Sequence, residues 1–146
     1  MPFVRVWTHY VWSVKHRDPI LTDPYRDLLF AHIRENAKTK GIWLNRVNGH
    51  HDHVHCLVSL GKEQSIDKIA QLLKGESSYW FNNKSGFNTP RLTWQNDYFA
   101  ASVSEKAIDT ARAYIENQVI HHSKVSFQQE YDQLMKEYGF KPTDFN

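Results

Sequence analysis

The chain has 146 residues, a formal net charge of +2, 40% hydrophobic and 23% charged residues. That length and apolar content suit one domain with a packed core and exclude wholesale disorder. Cys56 is the only cysteine, which excludes an intrachain disulfide and a Cys-rich zinc module.

No apolar run approaches the roughly 20 residues that span a bilayer. The opening MPFVRVWTHYVW lacks the pattern of a secretory signal, so a cytoplasmic protein without a membrane partner is expected. The near-balanced charge permits a nucleic-acid partner only if the basic residues cluster.

Residues 3–14 are rich in β-branched and aromatic side chains and predict a strand, with Val4, Val6, Tyr10, Trp12 and Val14 on one face. A loop with two prolines follows, and Thr22 or Asp23 is placed to cap a helix over 25–40. Leu28, Leu29, His32, Ile33 and Ala37 follow a helical stripe there, and Gly41 ends it. Residues 42–48 and 53–60 predict two strands joined by a short turn, hence an antiparallel hairpin. Ser65 caps a helix over 66–82, a polar loop runs to Pro90, and a last strand is expected over 98–103. Ser104 opens a helix over 105–122, and another covers 127–138. The order is β-α-β-β-α-β plus two C-terminal helices. This is an α+β, ferredoxin-like (RRM-like) antiparallel sheet with two helices on one face, the other face being open to bind something or covered by the extra C-terminal helices. One domain is expected over 1–146.

Two local patterns carry chemistry. In His53-Val-His-Cys-Leu-Val-Ser-Leu60, side chains alternate between faces. Val54, Cys56, Val58 and Leu60 share the apolar face, so Cys56 reads as a small core residue. His53 and His55 project together from the other face, away from the core, and two imidazoles at i, i+2 can bind one divalent cation. Polar residues on a solvated sheet face, a different ligand set including His51 and Asp52, or a structural zinc are alternative readings of the same residues. His121 and His122 read as surface residues near a helix C-terminus, where positive charge suits the dipole.

In the helix after Ser104, Ile108, Ala111, Ile115 and Val119 form the apolar stripe. Tyr114 and Gln118 lie one turn apart at its edge. A phenol there can attack phosphorus, and the amide oxygen of Gln118 is a hard ligand for Mg²⁺ or Mn²⁺. A half-buried helix tyrosine is the ordinary alternative. Tyr79 with Asn83 is the nearest rival pair.

A His-hydrophobic-His strand followed by a Tyr-x-x-x-Gln helix is more specific than either part. With VWSVKHR, HDHVHCLVSL, KGESS, ARAYIENQ and HHSKVSFQQEYDQLMKEYGF, the chain resembles the single-tyrosine HUH transposases of the insertion-sequence 200/605 group over nearly its whole length. The resemblance implies a metal-dependent transposase that cleaves and rejoins single-stranded DNA through a 5′-phosphotyrosine. Tyr114 would be the nucleophile, and His53, His55 and Gln118 would hold Mg²⁺ or Mn²⁺. It also implies a nucleoid-associated homodimer acting on DNA with hairpin ends, with the tyrosine helix able to act in trans. Lys15, Arg17, Lys74, Arg91 and Arg112, with Trp80 and Trp94, are candidate DNA contacts, since single strands favour cationic grooves with aromatic platforms. Trp12 and Trp43 are as readily core. Two other functions fit the same elements: a non-catalytic ferredoxin-like nucleic-acid-binding protein, and a domesticated relative that cleaves repeated hairpins.

Overall fold

A computed structural model describes residues 1–140; the end of the expected 1–146 domain, residues 141–146, lies outside the described residues. The elements run β1 (Val6–Ser13), α1 (Tyr25–Thr39), β2 (Trp43–Gly49), β3 (His53–Leu60), α2 (Ile66–Asn83), β4 (Phe99–Val103), α3 (Ile108–Glu116), α4 (Gln118–His122) and α5 (Phe127–Glu137). The four strands form one antiparallel sheet in the order β2-β3-β1-β4, the ferredoxin-like arrangement.

Strand alternation builds two cores, one on each face of the sheet. Tyr10, Trp12, Val14, Val54, Cys56 and Val58 face α1 and α2, where they meet Leu29, Ile33, Ile69, Leu73 and Phe81. Each such side chain, fully buried, contributes about 1.5–3 kcal/mol. The opposite parity gives a second face. Val11, Phe99 and Ala101 pack on Phe127 and Leu134 of α5, and Trp7 and Leu57 pack on Ile108 and Ile115 of α3. The C-terminal helices therefore cover the face that carries the histidines. No described helix is long and apolar enough to cross a membrane.

Three sequence expectations change. The helix expected over 105–122 is a 3-10 turn (Glu105–Ala107) followed by α3 and α4, separated at Asn117. The Asn48 side chain of β2 donates to the carbonyls of Ile115 and Glu116 at 2.9 and 3.1 Å. Those carbonyls would otherwise accept from Val119 and Ile120 in a continuous helix. Neither Thr22 nor Asp23 caps α1; Asp23 instead pairs with Arg26 at 3.0 Å. The strand begins at Val6 rather than at residue 3, and Val4 and Val6 are exposed.

Candidate active site

His53 and His55 project from β3 toward α3–α5, and both are completely buried. The expectation that they face away from packed structure is thus corrected, because the C-terminal helices form a second core over them. β1 contributes His9 on the same face, and its Nε2 lies 2.8 Å from His55 Nδ1. α5 contributes Glu130, also buried, whose carboxylate sits among the imidazoles. Glu130 Oε1 is 3.3 Å from His53 Nε2, 3.0 Å from His55 Nε2 and 3.1 Å from His122 Nε2. Its Oε2 is 3.3 Å from His121 Nε2 and accepts from Gln118 Nε2 at 3.1 Å. The Tyr114 hydroxyl donates to the same oxygen.

The i, i+4 spacing on the last turn of α3 and the first of α4 brings Tyr114 and Gln118 together despite the break at Asn117. Gln118 is fully buried, with its Oε1 3.0 Å from His53 Nε2. The Tyr114 ring centroid is 5.6 Å from that of His55 and 6.1 Å from that of His9. One chain therefore gathers the phenol, the carboxamide and both imidazoles of the expected site.

Charge in the cluster follows from burial and contact. Burial opposes charge on His53, but hydrogen bonds to Asp52, Glu130 and Gln118 outweigh it and raise its pKa. His55, more deeply enclosed, is pulled down by burial to about 4 despite Glu130. Burial, with His55 beside it, pulls His9 down to about 3. Burial alone would push Glu130 up; His122, His53 and His55 outweigh it and hold the carboxyl far below the usual range. Burial, reinforced by Glu130, pushes the Tyr114 phenol well above its ordinary value.

The donor set suits a cation. His53 Nδ1 lies 2.8 Å from the Asp52 carboxylate, which itself stays ionised, so the ring donates outward. In the metal-free chain the raised pKa keeps a second proton on Nε2; a cation that displaces it would meet the Nε2 lone pair, the tautomer a metal-ligating imidazole needs. His53, His55 and Glu130 offer ligand atoms within 4.8 Å of one another.

A family model for IS200-like transposases matches residues 3–118. The chain belongs to the IS200-like transposase family. It is 29% identical over 118 residues to the ISDra2 transposase TnpA of Deinococcus radiodurans, a match covering 75% of this chain and 81% of that one. A crystal structure assigned to the transposases, from Deinococcus radiodurans R1, superposes with a TM-score of 0.63 at 27% identity, covering 80% of this chain and 93% of that one. A REP-associated tyrosine transposase bound to a REP hairpin shares the fold, with a TM-score of 0.62 at 14% identity over 86% of this chain and 73% of that one.

Within this IS200-like transposase, the remaining expected residues are dispersed. Lys74, Arg91 and Trp94 line one groove beside α2, on the opposite side of the sheet from the histidines. Trp94, expected as a stacking platform, is instead core: it is buried, donates to Ser77 Oγ at 3.0 Å and meets Trp12 edge-on. Lys74 spends its ammonium hydrogens on the carbonyls of Gln95, Asn96 and Asp97 at 2.7–3.1 Å. Trp80 is half-buried and stacked on His32. Arg112 binds Asn45 and Asp109, and Arg17 lies over the Phe127 ring. Lys15 and Arg91 are exposed. Trp43 is exposed and Trp12 is core.

Sequence reasoning missed His9, Glu130 and the inward turn of His121 and His122. A signal existed for two of them. His9 shares its parity with Trp7 and Val11, and Glu130 lies between Phe127 and Leu134 on the buried stripe of α5. A polar residue on an apolar stripe marks a place where something must satisfy it.

Proposed function

We propose that this transposase cleaves and rejoins single-stranded DNA, with Tyr114 as nucleophile. The observation that carries the reading is the gathering of the Tyr114 hydroxyl, the Gln118 carboxamide and the His53 and His55 imidazoles in one buried cluster. His53, His55 and Gln118 would hold Mg²⁺ or Mn²⁺, with the Glu130 carboxylate as a further oxygen donor. Such a cation polarises a scissile phosphate and neutralises its charge.

The Tyr114 oxygen forms a bond to phosphorus as the bond from phosphorus to the 3′ oxygen breaks. The products are a 5′-phosphotyrosine and a free 3′-hydroxyl. A second 3′-hydroxyl then reverses the exchange at a new junction, so no nucleotide cofactor is consumed. With its hydroxyl donated to Glu130 and its pKa raised, the phenol is at rest. Attack requires that hydrogen bond to be released and the proton to pass to a nearby base.

Hairpin-ended single-stranded DNA is the proposed substrate, in keeping with the hairpin bound by the REP-associated fold neighbour. Lys15, Arg17, Arg91, Arg112 and Trp80 are the proposed DNA contacts, with Lys74 and Trp94 supporting the α2 groove from within. The proposed assembly is a homodimer. Contact of Tyr114 with its own chain's histidines supports cleavage in cis. Mixing Tyr114→Phe subunits with His53→Ala/His55→Ala subunits should then form no adduct; restored adduct formation would mean that the tyrosine helix works in trans.

The direct test incubates the chain with single-stranded hairpin DNA and Mn²⁺, then looks for a protein–DNA band that survives denaturant. The band should vanish in Tyr114→Phe and in excess EDTA while DNA binding by Tyr114→Phe persists. A band undiminished in Tyr114→Phe would remove the phenol from the chemistry. DNA binding with no covalent band under any metal would favour a binding module.

A further inference from the structure

His121, His122 and Glu130 form a second triad whose ligand atoms lie within 4.8 Å of one another. It shares only Glu130 with the His53–His55 triad. The two imidazoles approach different oxygens of that carboxylate: His122 Nε2 is 3.1 Å from Oε1 and His121 Nε2 is 3.3 Å from Oε2.

A hydrogen bond from His122 Nε2 to Glu130, 3.1 Å long, accounts for this convergence only when the ring carries a second proton. His122 Nδ1 lies 2.6 Å from the Val125 carbonyl, which can only accept, so Nδ1 carries the hydrogen. In the neutral ring, His122 Nε2 therefore presents a lone pair to a carboxylate oxygen. His53, once stripped of its second proton, does the same from the other side, since its Nδ1 donates to Asp52. Lone pairs facing an anion repel unless a cation lies between them or the rings are charged. His121 supplies an independent sign. Its Nε2 is buried and makes no hydrogen bond, one of two such side-chain atoms among the described residues.

The spacing also suits a metal. Ligands about 2.0–2.1 Å from a tetrahedral ion stand roughly 3.3 Å apart. The His121 and His122 nitrogens stand at 3.3 and 3.1 Å from the Glu130 oxygens. The outward hydrogen bond from His122 to a backbone carbonyl is the usual support of a ligating imidazole.

We infer that His121, His122 and Glu130 form a second divalent-cation site, with the Glu130 carboxylate bridging it to the His53–His55 centre. Two imidazoles and a carboxylate select an imidazole-preferring transition ion such as Zn²⁺. A carboxylate spanning two ions is compatible with a separation of about 3.5–4 Å. An ion there ties α4 to α5 and engages the carboxylate that otherwise holds the Tyr114 hydroxyl. The inference goes beyond DNA cleavage and does not require it.

The test is Zn²⁺ stoichiometry on the full chain, by equilibrium dialysis and native mass spectrometry. Wild type should hold two Zn²⁺. His121→Ala/His122→Ala should hold one, as should His53→Ala/His55→Ala. His121→Gln, altering a partly exposed ring, should weaken the second ion at least tenfold while leaving the first. A single wild-type ion that folded His121→Ala/His122→Ala still holds overturns the second site, as does retention of two ions by that variant; a single ion lost there but kept by His53→Ala/His55→Ala overturns the bridge. Retention of two ions by His53→Ala/His55→Ala would instead sink the His53–His55 centre and also the bridge.

Discussion

Replacing Glu130 by Gln keeps the side-chain shape and removes the one negative charge at the centre of the cluster. The carboxylate accepts from Tyr114 and Gln118 on one oxygen and meets three imidazole nitrogens on the other. An amide presents its NH₂ to one of these sets whichever way it turns, so at least two charge-assisted bonds are lost or reversed. Hydrogen bonds to charged groups are worth about 1.5–3 kcal/mol each, and removing one partner of a buried pair costs about 3–5 kcal/mol. We expect a loss of about 3 kcal/mol in metal-free protein. For a chain near 150 residues this lowers Tm by about 6–12 °C. The assay is thermal unfolding by circular dichroism at pH 7.5 in EDTA. A Tm within about 2 °C of wild type would refute the view that the carboxylate holds the C-terminal helices to the sheet.

Acid should destabilise the metal-free chain before ordinary carboxylates titrate. His9 and His55 are held neutral, down to about 3 and about 4, so their contribution is complete above the unfolded histidine value and is lost as pH falls through that window. His53, whose pKa is raised, acts oppositely and offsets part of the loss. Two protons taken up on unfolding give a slope of at most about 3 kcal/mol per pH unit below about pH 6.5, read from urea midpoints in EDTA. Midpoints unchanged from pH 7 to pH 5 would contradict the neutral assignment. Gly49→Ala should cost about 2–4 kcal/mol, because its Cβ would stand 2.1 Å from the His53 carbonyl oxygen, while Gly75→Ala in α2 meets nothing within 4 Å and should stabilise. Equal urea midpoints for these two variants would show that the β2–β3 turn yields.

The fold was legible because its signals are local. Strand alternation in β1 and β3, the helical stripes of α1 and α2 and the Ser65 cap each follow from a short stretch of chain. The same holds for half of the candidate site: the i, i+2 imidazoles and the i, i+4 Tyr114–Gln118 pair need only one strand and one helical turn. The rest depends on docking. Glu130 reaches the histidines only because α5 folds back over β1 and β4, through Phe127 and Leu134. The break at Asn117 is set by Asn48 on a distant strand, which no helical periodicity in 105–122 reveals. β3 alone could not settle whether its histidine face is solvated or covered, for the same reason: the apolar partner that covers it, Phe127 stacked on His53, lies some 70 residues away, in α5.

The most direct measurement is the chemical identity of the protein–DNA linkage. Protease digestion of the adduct formed with single-stranded hairpin DNA, followed by mass spectrometry, should find the 5′-phosphate on the peptide containing Tyr114 and on its phenol. A phosphate mapped to Tyr79, Tyr98 or any other side chain would contradict the account at its centre.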